Sequence, residues 1–275
     1  MGFRSITDTS SFVKLHDLIE QDAVDLLVTA SEVENNEVNY LISELRGQRL
    51  GTNPFPVVIT LLANAEPDYV RRAIDSGVDD MLLTPVAPDQ LILRIEKLAR
   101  ARKPFVITHD YTGPDRRTKA RAFENHSAPM LEVPNPLKMR AESGIDGTRL
   151  DRIVREAGMT LNRIKIERFA VQLDWLVNHI FASIRDGVVT DPQALTPYTS
   201  RLVLVAEDMI RRMKDTPCEP HINPVVGLLD IARQVEHDPG KIAYSELERL
   251  TVLAKGVYRA LGAPPASVNT MQKSA

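Results

Sequence analysis

Residues 77–88 read GVDDMLLTPVAP, and their reading decides the fold. Gly77 is a helix stop. Asp80–Leu83 is a short strand, and the Thr84-Pro85 turn leads into a helix for which Asp89 supplies the cap. Working outward, the same grammar repeats. VDLLVT (24–29) and PVVITLL (56–62) are near-continuous apolar runs, the mark of strands buried on both faces. Between them lie helical stripes: Phe12, Leu15, Leu18 and Ile19; Val38, Leu41, Ile42 and Leu45; and, after the opening stretch, Leu91, Ile92, Ile95 and Leu98. Tyr69–Ser76 is a further helix. Phe3–Thr7 and Phe105–Thr108 are short extended runs. Strands alternating with helices imply parallel βαβ crossovers, with function at the carboxyl ends of the strands. Those ends are Thr29-Ala30-Ser31, Leu62-Ala63-Asn64 and Leu83-Thr84-Pro85.

The chain has 275 residues, 43 % hydrophobic and 26 % charged, enough to bury a core without staples. A net charge of −3 provides no basic field for nucleic acid. The single cysteine, Cys218, excludes an internal disulfide framework and fits a reducing compartment. No stretch approaches the roughly 20 apolar residues of a membrane span. MGFRSITDTSSF lacks a signal pattern, and Ile6 stands where a myristoylation motif needs a hydroxyl. The expectation is a cytoplasmic protein.

Residues 108–147, with Pro114, Pro129, Pro134, Pro136, Gly113, Gly144 and Gly147, read as a linker. They hold turn chemistry at Tyr111 to Pro114 and a basic cluster of Arg116, Arg117, Lys119 and Arg121 beside Asp115. His109 and His126 have no ligand-spaced companions, so no metal is expected. From residue 148 to 263 the pattern is helical: Arg149–Ala157, then Leu161–Ile184 with Phe169, Leu173, Leu176 and Ile180 inward and Trp175 and Val177 beside them. A short helix from Asp191-Pro192 follows, then Tyr198–Lys214 with Leu202, Val205, Met209 and Met213 inward. After a bend at 217–224 come Pro224–Val235 and a helix Glu246–Leu261 capped by Ser245 through a box with Glu248. Residues 264–275 are a polar tail. The whole is an α-bundle following an α/β domain.

The three strands and the segment PFVITHDYTGPDRR (104–117) resemble a response-regulator receiver domain. The likeness spans roughly residues 1–117 and is to the bacterial subgroup carrying a Tyr-x-Gly-Pro-Asp-Arg-Arg segment after the receiver. It implies a flavodoxin-like parallel sheet at residues 1–107. It also implies that Ala30 stands where the family has its phosphorylated aspartate, Leu62 where it has a hydroxyl and Thr84 where it has a lysine. No counterpart of the family's first strand, with its acidic pair for Mg²⁺, precedes Gly2; a start set too late would account for the same gap. Glu32 lies near the Mg²⁺ position, but one carboxylate is not a metal site. Asp79 and Asp80 are expected to cap and solvate the strand that follows. The lost first strand and helix would leave an apolar sheet face for the helical half or a second copy to cover. Tyr111, Gly113, Pro114, Asp115, Arg116 and Arg117 are a candidate interaction segment.

A second resemblance, over some 60 residues, is to a histidine-phosphotransferase helical domain. Val205-Ala206-Glu207-Asp208 has the shape of its Ala-His-Asp helix, followed by Asn223-Pro224-Val225-Val226, with Glu207 in place of the histidine. The two resemblances imply a non-phosphorylatable member of a two-component phosphorelay. It would not be an enzyme and would need no cofactor. It would bind a histidine kinase, a response regulator or a second copy of itself. The alternatives are a phosphotransfer protein using a histidine such as His179, and a DNA-binding regulator, which the acidic balance disfavours.

Overall fold

In the computed structural model, which describes residues 5–21, 24–117, 128–143, 145–185, 192–237 and 243–262, the chain falls into two compact units, Met1–Leu161 and Asn162–Ala275. The first unit opens with α1 (Phe12–Gln21), β1 (Leu26–Ala30) and a two-residue-arm hairpin, β2 (Glu32–Val33) and β3 (Asn36–Glu37). There follow α2 (Val38–Arg46), β4 (Val57–Leu62), α3 (Pro67–Asp75), β5 (Asp80–Leu83) and α4 (Pro88–Arg100). The strands β1, β4 and β5 pair in that order as a parallel sheet, with Leu26 opposite Val57 and Ile59 opposite Asp80. The central strand is VVITLL, buried along almost its whole length, which explains why it shows no polar alternation.

Both sheet faces are covered from within this unit. On one, Val58 and Leu27 pack with Leu15 and Ile19 of α1 and with Val38, Leu41, Ile42 and Leu45 of α2. On the other, Val57, Ile59 and Leu82 pack with Ile95, Leu98 and Ala99 of α4 and with Leu137. The expected uncovered face is therefore corrected: α1 and α4 supply the cover assigned in advance to the helical half or a second copy. Leu137 belongs to α5 (Pro136–Ser143).

Phe105–Ile107 forms β6, but not in the parallel sheet. It is the centre of a small antiparallel sheet with β7 (Thr112–Pro114) and β8 (Met130–Leu131), in the order β7-β6-β8. The stretch read as linker thus contributes two strands and a helix to the first unit. Of the Pro and Gly residues that suggested a connection, Gly113 and Pro114 lie in β7, and Pro136 opens α5. Two further readings change. Asp89 is in the first turn of α4, whose N-cap is Ala87 with Pro88 at the first helical position, and Ile92 is 51 % exposed. Phe3–Thr7 lies partly outside the described residues, and 5–7 form no strand.

Helix α6 runs unbroken over Gly147–Arg185, where two helices were expected, and the boundary between the units falls within it. Gly158 and Thr160 do not end it, because neither removes a backbone donor. The Thr160 hydroxyl bonds back to the Glu156 carbonyl, and the Gly158 carbonyl accepts from Gln48 Nε2 at 3.0 Å. In the second unit α7 (Thr196–Met213), α8 (Ile222–His237) and α9 (Tyr244–Leu261) share one core with the later part of α6. Leu173, Ile180, Leu202, Met209, Met213, Leu228 and Val235 are wholly buried there. Short 3₁₀ turns at Pro192–Leu195 and Glu219–His221 precede α7 and α8. Ser245 does not cap α9: the N-cap is Ala243, without a side-chain bond. Trp175 is 56 % exposed, whereas Val177 is in the core. The polar tail from residue 264 lies outside the described residues. No described helix is long and apolar enough to cross a membrane.

Candidate functional site

The parallel sheet brings Ala30, Leu62 and Thr84 to one edge. Ala30 ends β1 opposite Leu61, Leu62 ends β4 opposite Leu83, and Thr84 follows β5. The Thr84 N–H donates to the Leu62 carbonyl at 2.9 Å, and the Thr84 hydroxyl donates to the same oxygen at 3.2 Å. The Ser31 N–H donates to the Leu61 carbonyl at 3.0 Å. Ala30 is exposed and Leu62 buried. The three chemical groups on offer are a methyl, an isobutyl and a hydroxyl already tied to main chain. None is a nucleophile of the kind that accepts a phosphoryl group, and none is a cation to neutralise one.

The donor set at this edge does not fit a Mg²⁺ ion, since none of the three strand ends carries a carboxylate. The nearby acids serve the β2–β3 hairpin, whose turn residues Glu34 and Asn35 sit at φ 51° and 60°. Glu32 faces Glu37 across it, Glu37 lies 3.3 Å from Arg72, and Glu34 accepts the Phe12 N–H at 2.9 Å.

The opposite, amino-terminal edge holds a cluster that the sequence reading missed. Asp79 is not a solvated cap. Its side chain is 1 % exposed and lies between Arg46 and Arg102, themselves 2 % and 3 % exposed. Arg46 Nη2 donates to Asp79 Oδ2 at 2.9 Å; Arg102 donates through Nε to Oδ1 at 2.8 Å and through Nη2 to Oδ2 at 3.0 Å. The Val58 N–H, at the start of β4, completes the carboxylate at 2.9 Å. The guanidinium groups also donate to carbonyls: Gly77, Pro54 and Pro56 for Arg46, and Phe55, Pro56 and Pro134 for Arg102. Both guanidinium carbons lie about one ring's reach from Phe105, at 5.0 and 4.9 Å from its centroid.

Burial works to raise the Asp79 pKa, but Arg102 and Arg46 together hold it below its ordinary value. Burial, with Arg102 adding to it, pushes Arg46 down to about 10 against the pull of Asp79, so Arg46 stays charged at neutral pH. Buried charges paired and hydrogen-bonded this densely are a device for fixing one geometry. Here they pin the ends of α2 and α4 to the starts of β4 and β5.

The candidate interaction segment packs into the same edge. Thr112, Gly113 and Pro114 are buried as β7. A side chain on Gly113 would come within 2.7 Å of Gly77 Cα and 2.5 Å of the Tyr111 hydroxyl oxygen, so glycine is required by closeness of two backbones. Gly77 itself has φ +88°. The Tyr111 hydroxyl donates to the Pro114 carbonyl at 3.0 Å, and burial raises its pKa. Arg116 donates to the Val78 carbonyl at 2.8 Å, and Arg117 pairs with Asp115 at 2.9 Å. The segment acts as a clasp on Gly77–Asp79. His109 pairs with Asp110 at 2.7 Å; Lys119, Arg121 and His126 lie outside the described residues.

In the helical unit Glu207 is exposed on α7 and pairs with Arg233 of α8 at 2.7 Å. His179 is half-buried, stacked parallel on Trp175 at 5.2 Å and tilted against Tyr198 at 4.2 Å. Cys218 is a half-buried free thiol against the core. On α1, His16, Asp17 and Glu20 each bring a ligand atom within 4.8 Å of the others, on an exposed helix face. No family model, curated protein or solved structure matches the chain. The residues by themselves define a parallel α/β unit followed by a helical unit.

Proposed function

We propose that this protein is a receiver-like module of a two-component phosphorelay that acts by binding a histidine kinase or a response regulator, without accepting phosphate itself. The observation that carries the reading is the edge formed by Ala30, Leu62 and Thr84: three adjacent strand ends, in the positions that the receiver resemblance assigns to aspartate, hydroxyl and lysine, with the Thr84 hydroxyl bonded to the Leu62 carbonyl. The strand order β1-β4-β5, all parallel, agrees with the last three strands of a receiver sheet. The buried Asp79 cluster and its clasp keep that scaffold rigid. A module that retains the shape and lacks the reacting groups can compete for a partner's docking surface without consuming its phosphate.

The test adds the purified chain to a histidine kinase carrying labelled phosphate and its own regulator. The expected result is a dose-dependent slowing of transfer with no label on this chain. Transfer at an unchanged rate, together with no binding to kinase or regulator, overturns the proposal.

A further inference from the structure

Two exposed helix faces in the first unit are complementary in charge. On α1, Val13, His16, Asp17 and Glu20 follow the i, i+3, i+4, i+7 spacing of a single stripe. Val13 is 66 % exposed, and the Asp17 and Glu20 side chains are 52 % and 55 % exposed. On the first part of α6, Arg152, Arg155, Glu156 and Met159 repeat that spacing, and all four are exposed, Met159 at 67 %. Among the described residues Arg152 and Arg155 have no ion-pair partner, whereas Arg163, the next arginine along the helix, pairs with Glu167 at 2.6 Å.

Set antiparallel, the two stripes meet in register over their whole length of about 10.5 Å. Met159 falls on Val13 and Glu156 on the His16 ring. Arg155 then falls on Asp17 and Arg152 on Glu20. One apolar contact is followed by three polar pairs, each of opposite or hydrogen-bonding character. The guanidinium groups would enter the exposed carboxylate pair beside His16.

We infer that this protein associates with a second copy of itself, α1 of one copy lying antiparallel on residues 152–159 of the other. Two copies that make both contacts at once are related by a two-fold axis, and such a dimer is closed. Exposed ion pairs individually contribute little, so the association is weak and is lost as salt screens the charges.

Sedimentation equilibrium on the full chain tests this, over about 10–500 µM protein at about 25 mM and 500 mM salt. The wild type self-associates at low salt and weakens at least about tenfold at high salt. The double variants Asp17→Arg/Glu20→Arg and Arg152→Glu/Arg155→Glu each lose association by at least about tenfold. An equimolar mixture of the two associates again, since each contact regains opposite charges. That recovery separates a broken contact from a misfolded chain. A wild type that stays monomeric throughout overturns the inference. So does association that neither reversal weakens, or a mixture that fails to recover it.

Discussion

Replacing Asp79 by asparagine keeps its shape and removes the one carboxylate between the buried guanidinium groups of Arg46 and Arg102. Breaking a buried pair leaves charge without compensation, so Asp79→Asn should cost about 3–5 kcal/mol in urea unfolding. The pH dependence has a definite sign. The native carboxyl is held below its ordinary 3.8, so its stabilisation is complete above that value and is lost as pH falls through the lower native pKa. The gap between wild type and Asp79→Asn should therefore narrow in acid, below pH 3.8, and stay constant near neutrality. Sequence alone hid this residue. An aspartate before a strand ordinarily caps it in water, and Arg46 and Arg102 are far from it in the chain. Only the fold shows that both helix ends return to the same point. The strand-end positions of Ala30, Leu62 and Thr84, by contrast, were legible, because each sits at the end of an apolar run whose strand character is unmistakable.

At the scale of elements, β7 and the Gly77 turn are held back to back. A Cβ at Gly113 has nowhere to go between Tyr111 and Gly77. Gly113→Ala should destabilise the first unit by at least about 2 kcal/mol, read as a lowered urea midpoint with an unchanged slope. In the helical unit, Met209 of α7 is fully buried among α6, α8 and α9 residues, and Met209→Ala should cost about 2–5 kcal/mol by the same measurement. The helical stripes read from the sequence mostly hold, since period and burial agree at Leu202, Val205, Met209 and Met213. Element ends were read less well. Ser245 and Asp89 look like caps by residue type, yet proline and the preceding chain set the start of α4, and the backbone turns into α9 one residue before Ser245. Of the β6–β7–β8 sheet only the extended run at β6 was legible, since β7 and β8 are two or three residues long, too short to show a period.

At the scale of the whole molecule, the first unit keeps a parallel sheet with both faces covered, and its carboxyl edge presents no reacting group at the three strand ends. Alternation of strand and helix made that class readable in advance; which helices cover which face depended on residues distant in sequence, such as Leu137, joining one core with Ile59. The claim that the scaffold is kept without phosphoryl chemistry is tested most directly by incubating the full chain with acetyl phosphate and Mg²⁺ and measuring its intact mass, with peptide mapping of residues 29–34. The account predicts an unchanged mass. A stable phosphoryl adduct mapped to that segment would contradict it.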